Sequence, residues 1–285
     1  NSLNKAIQFK MKKNFRQFGT GFKSYGTALT FIFQNGLWYY FTFPLLFNLL
    51  VFFGGISLVN SATDLSIEWA INQFNSLDAP GFWGTLLEWS KESLSWAIWI
   101  VFKIAFFYIF LLFGGYISLI VLSPVLAFLS EKTEAIITGK KLKFDLYQFT
   151  RDIIRAILLV IRNMCIQSLW VILFFIISFI PVIGWFVSFF GNLIISSYFY
   201  GFSFMDYTNE RRRLNIKQSI LHIKENKGLA TGTGSIFVLC FLIPFLGSII
   251  ASFVSVIAVV GSTLCMIKEQ KDSEVEIISP KEVNI

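Results

Sequence analysis

The 285-residue chain is 55% hydrophobic and 18% aromatic, with only 14% charged side chains. A soluble globule of this size could not bury that much apolar surface, and the apolar residues come in long uninterrupted runs, so composition assigns an all-α integral membrane protein. The formal net charge of +7 is gathered in blocks beside the apolar runs, which excludes a nucleic-acid face and points to membrane topology.

Residues 1–35 form the first basic block, with Lys5, Lys10, Lys12, Lys13, Arg16 and Lys23. Leu3, Ile7, Met11, Phe15 and Phe18 recur on one helical face between these cations. That pattern predicts an amphipathic helix lying in the membrane interface. Its basic part is too long for a secretory leader, so the segment reads as mature protein.

The first run able to cross the bilayer covers residues 37–59 and includes Pro44 and Asn48. After it come Asp64, Glu68, Asp78, Glu88 and Glu92 against a single Lys91. The acidic stretch 60–92 is therefore expected as a loop outside, with both termini and the basic blocks in the cytoplasm. The second crossing run, 93–129, contains Lys103, which can snorkel to the outer interface.

The remaining chain repeats itself. A basic amphipathic stretch from Lys140 to Arg162 precedes an uncharged hairpin over 163–205, whose turn reads Ile180-Pro181-Val182-Ile183-Gly184. A second basic stretch, Arg211 to Lys227, precedes a hairpin over 229–267 whose turn reads Ile243-Pro244-Phe245-Leu246-Gly247. A turn crossing into water would carry Asn, Asp, Ser or Lys. These turns carry none, so both are expected to stop inside the bilayer. Residues 228–234, Gly-Leu-Ala-Thr-Gly-Thr-Gly, read as a loop, leaving about 14 Å of helix before the second turn. From Lys268 onward, mixed charge and Pro280 predict a flexible cytoplasmic tail.

Cys165, Cys240 and Cys265 lie in apolar runs without paired spacing, so they read as packing residues, and the lone His222 as an interfacial side chain. Neither a metal site nor a cofactor is expected. No zinc-protease motif, Walker loop or intramembrane carboxylate cluster points to an enzyme.

Several ordered features carry a resemblance. They are Gly36-Leu37; Pro44-Leu45-Leu46 with Asn48; Ser123-Pro124 followed by Leu129, Glu131-Lys132 and Gly139; the Ile180-Pro181 turn through Gly184-Trp185; Asp206-Tyr207 followed by Arg211-Arg212; and Ala258 to Gly261. Over residues 20–267 the chain resembles the CysZ sulfate permease family, grouped with the etoposide-induced membrane proteins. The resemblance implies two long transmembrane helices plus two partially inserted helical hairpins. It also implies a homo-oligomer in the bacterial inner membrane and passage of sulfate inward. Members associated with sulfate carry Gly-Leu-Arg before the first span; here Trp38 follows Gly36-Leu37, and Thr208 replaces a proline.

The residues expected at an anion site are Gly36 and Leu37, Gly184 and Gly247, Ser188 and Ser248, and Arg211 and Arg212. Pro181 and Pro244 break the helices at the hairpin tips. Helices restarting at Trp185 and Ser248 would present unpaired N–H groups and positive dipole ends inside the membrane. The expected partners are a small inorganic anion, membrane lipids and further copies of the chain. The alternative is a membrane scaffold that does not transport.

Overall fold

The structure, a computed structural model, describes residues 2–75, 82–139, 146–243 and 246–278. Among these, eight α-helices follow one another: α1 (Ser2–Gln34), α2 (Thr42–Asn75), α3 (Phe82–Thr138), α4 (Leu146–Ile177), α5 (Ile183–Arg211), α6 (Ile216–Glu225), α7 (Lys227–Cys240) and α8 (Gly247–Ile278). A 3-10 turn, Trp38–Phe41, precedes α2. Among the described residues, five stretches are long and apolar enough to cross a membrane: Trp38–Asn72, Phe113–Thr138, Thr150–Ile177, Ile183–Arg211 and Gly247–Lys271. The protein is an all-helical integral membrane protein.

The helices overrun the boundaries read from hydropathy. α2 stays helical to Asn75 and α3 begins at Phe82, so much of the stretch expected as an outer loop is helix. α8 continues to Ile278, past Lys268, where the flexible tail was expected to start. Lys140, Lys141 and Lys143, Asp78, the Pro244-Phe245 tip and Pro280 lie outside the described residues.

The chain divides into two compact units, Asn1–Pro44 with Gly115–Ile285, and Leu45–Gly114. In the second unit a methyl group on Gly55 would come within 3.2 Å of the Phe106 ring, so glycine permits the close approach of α2 and α3 there. Lys103 sits 4.8 Å from the Trp99 ring centroid and donates to Asn60 Oδ1 at 3.5 Å.

In the first unit the glycine-rich stretch expected as a loop is instead the body of α7. The reason is packing on both sides. A Cβ on Gly228 or Gly232 would overlap the backbone of Asn14 or Phe18 in α1, and a Cβ on Gly234 would overlap that of Ser197 in α5. Ala230 in turn presses its carbonyl against Gly201 of α5. Small residues at intervals of four let two backbones approach α7 at once, the usual device for joining helices in lipid. Burial then offsets the poor helix propensity of glycine.

Polar side chains bridge the other seams. Along α4 and α5, Asn163 bonds Ser203 at 3.2 Å, Gln167 bonds Ser196 at 2.9 Å, and the Ser188 hydroxyl donates to the Phe174 carbonyl at 2.6 Å. α1 follows α8 through Ser24 beside Gly261 and Gln17 donating to Glu269 at 3.3 Å. Within α3, Pro124 has no N–H for the Ile120 carbonyl, and the Ser123 hydroxyl takes that place at 2.9 Å. A cluster of Leu159, Phe202, Met205, Ile223, Leu229 and Met266 forms the apolar core between these seams. The buried side of α1 runs through Gln17, Gly21, Ser24, Tyr25, Ala28 and Ile32, whereas Met11 and Phe15 stay exposed.

Candidate functional site

Backbone hydrogen bonds recur at the flanks of the two Ile-Pro turns. Ile180 N–H donates to the Ile177 carbonyl and Ile243 N–H to the Cys240 carbonyl, both at 3.0 Å. Gly184 and Gly247 then donate to Ile180 and Ile243, again both at 3.0 Å. A side chain on either glycine would press into the end of the preceding arm: a Cβ on Gly247 would lie 2.5 Å from the Cys240 carbonyl, and one on Gly184 would overlap that of Ile177. The glycines therefore let each chain reverse tightly, and their own amides are engaged in doing so. In the first turn Val182 takes φ 61° and ψ −65°, with Ile183 N–H bonded to the Pro181 carbonyl at 2.7 Å. This is a strained γ-turn for a β-branched residue.

The second turn joins arms of unequal length. The 14-residue α7 spans about 21 Å, short of the roughly 30 Å hydrocarbon core. α4 and α5 are each long enough to cross, but the part of α4 beyond Arg162 is only residues 163–177, about 22 Å. Ser188 has its hydroxyl committed to Phe174, while Ser248 is half-buried in the first turn of α8.

Gly36 and Leu37 close α1. Gly36, at φ 66°, donates to Phe33, and Leu37 reaches back to the Ile32 carbonyl at 2.8 Å. Leu37 and Ile32 are both fully buried. This is a Schellman cap with its hydrophobic contact, which makes the pair a helix stop that fixes where the next segment starts. Trp38 emerges from it 59% exposed. Beside it, Lys132 Nζ donates to the Tyr39 hydroxyl at 2.8 Å and lies 5.2 Å from that ring's centroid.

Arg211 is not a free cation. Its Nε meets Glu134 at 2.5 Å, and its other nitrogens donate to Ser130 at 2.9 Å, the Tyr207 carbonyl at 2.8 Å and Thr208 at 3.3 Å. Ser130 also bonds Thr263 at 2.7 Å, so one guanidinium ties α3, α5 and α8 together. Arg212 caps the other side by donating to the Met266 carbonyl at 2.8 Å. Thr208, where the resemblance anticipates proline, contributes to this network through Thr263 at 3.5 Å.

Two features were missed in the sequence. One is the ion pair of Arg155 with Asp206 at 3.1 Å, which also accepts from Ser219. The other is Lys132 beside Tyr39. Both were discoverable as charged residues bordering apolar runs. Near Arg212, the half-buried His222 is held below the usual 6.5. Burial is the main cause, and the cations Arg212 and Lys13 add to it while Glu225 opposes it.

The sequence profile of the family described as sulfate transporter CysZ/etoposide-induced protein 2.4 matches residues 24–252. That stretch takes in the Schellman cap, the first Ile-Pro turn and Arg211 with Glu134, Ser130 and Thr208, while Thr263 of the same network lies beyond it.

Proposed function

Because the chain belongs to the sulfate transporter CysZ/etoposide-induced protein 2.4 family, we propose that it is a permease or channel for a small oxyanion, with sulfate the leading substrate. The family match over four-fifths of the chain carries this reading, supported by helices that restart from apolar turns. The N-termini of α5 and α8 bring positive dipole ends toward an anion inside the membrane. Gly184 and Gly247 serve by shaping those turns.

The chain works as a homo-oligomer in the bacterial inner membrane, with both termini and the basic segments facing the cytoplasm and the two hairpins inserted partway. The cations of α1 and of the Arg151 to Arg162 region concentrate anions at the cytoplasmic mouth. Lys132 lies beside the turn after Gly36-Leu37, where Trp38 replaces arginine, and Tyr39 steadies it. It takes the place of that arginine in gathering the anion. Sulfate flux in liposomes should therefore fall for Lys132→Gln and recover when Trp38→Arg is added. Equal flux in all three proteins would remove Lys132 from the account.

A second reading is a scaffold without transport. The commitment of Arg211, Ser188 and both turn glycines to internal bonds favours it.

A further inference from the structure

At the basic end of the first unit, a cleft of about 1090 Å³ separates the first turns of α4 from the segment joining α5 to α6. Arg151, Arg213 and Lys217 line it. Among the described residues, none of these three cations has an ion-pair or side-chain hydrogen-bond partner. Arg155 lies deeper, held by Asp206, with its Nε buried and unpartnered. Glu210 also lines the cleft; it is only 8% exposed, and its Oε1 lacks a partner. The carboxyl group of Asp152 lies beside that of Glu210.

The backbone is unusual at one of the cations. Arg213 has φ 55°, with its N–H bonded to the Glu210 carbonyl at 2.8 Å and Leu214 N–H reaching back to Asn209 at 3.3 Å. This is the helix-ending position that glycine ordinarily fills. A long cationic side chain is held there against the backbone's preference, at the edge of the cleft.

The other wall is apolar and open. Ile154 and Leu158 line the cleft and are exposed. They continue the outward apolar face of α4, a membrane-crossing candidate. A ligand for this cleft must therefore offer three things: an anion for Arg151, Arg213 and Lys217, a hydrogen-bond donor for Glu210, and an apolar portion for Ile154 and Leu158. A bare dianion meets only the first requirement and is repelled by Asp152.

We propose that this cleft binds the headgroup of an anionic glycerophospholipid, a phosphodiester with free hydroxyls of the phosphatidylglycerol type. The three cations hold the phosphate. A headgroup hydroxyl donates to Glu210 Oε1, and the first acyl methylenes lie along Ile154 and Leu158.

The test uses delipidated full-length protein in detergent, with bound lipid counted by native mass spectrometry and unfolding followed thermally. Phosphatidylglycerol should be retained at about tenfold lower concentration than phosphatidylcholine. Arg213→Gly should weaken phosphatidylglycerol binding about five- to tenfold. Without added lipid this variant should unfold at the same temperature or higher, since glycine adopts φ 55° freely. Arg151→Gln should weaken binding independently. Equal retention of the two lipids, or undiminished binding by both variants, would overturn the proposal. Glycerol 3-phosphate stabilising the protein as strongly as the lipid, at the same concentration, would overturn the lipid assignment in favour of a soluble phosphate.

Discussion

Gly201 of α5 and Ala230 of α7 approach so closely that a Cβ on Gly201 would overlap the Ala230 carbonyl oxygen. A bulky residue there has nowhere to go, because the neighbour is backbone. Gly201→Leu is expected to destabilise the protein by at least about 1–3 kcal/mol. Gly26, with open space around its Cβ position in α1, gives the control: Gly26→Ala should stabilise by about 0.5–1 kcal/mol. Thermal unfolding in one detergent checks both, and equal effects would refute the packing account.

That contact also marks the limit of sequence reading. Glycine spacing alone does not distinguish a flexible linker from a helix pressed between two others, because the deciding term is burial against α1 and α5. The Ile-Pro turns were legible, since proline and glycine impose local geometry wherever they occur. Gly36 and Leu37 were visible as a motif, but their role as a helix stop depends on Ile32 and Leu37 meeting in the core. The Arg211 network depends on Glu134 and Ser130, distant in sequence, so only the cation itself could be seen in advance.

Val182 takes a positive φ at the tip of the first turn and is 75% exposed. Val182→Gly should raise stability by about 1 kcal/mol, because glycine relieves the strain without a packing loss. Gly36→Ala, at φ 66°, should lower it by a similar amount. Unfolding temperatures measured side by side test the pair; a destabilised Val182→Gly would contradict the geometry.

Arg211 and Glu134 should be strongly coupled. In a double-mutant cycle with Arg211→Met and Glu134→Gln, the interaction energy is expected at about 1–3 kcal/mol. Each single change leaves part of the Ser130, Thr208 and Glu134 network unmatched. A coupling near zero would place Arg211 outside the structural clamp and return it to the pool of free cations.

His222 gives a pH dependence with a defined sign. Its native proton affinity lies below the ordinary 6.5, so the unfolded chain binds the proton more readily. The associated stability is fully present above about pH 6.5. It is lost as pH falls from there through the lowered native value. His222→Gln should flatten the acid side of the stability curve, as measured by denaturant titration between about pH 5 and 8. An unchanged slope in the variant would assign the loss to other groups.

The reading of this protein as an oxyanion permease is tested most directly by uptake of labelled sulfate into liposomes containing the purified protein. The account expects saturable or channel-like sulfate flux well above that of empty liposomes. It also expects the flux to fall when Gly247→Leu blocks the tight turn in a protein that still unfolds cooperatively. A well-folded protein giving no flux of sulfate or related oxyanions, with Trp38 or with Trp38→Arg, would contradict the account and leave the scaffold reading in its place.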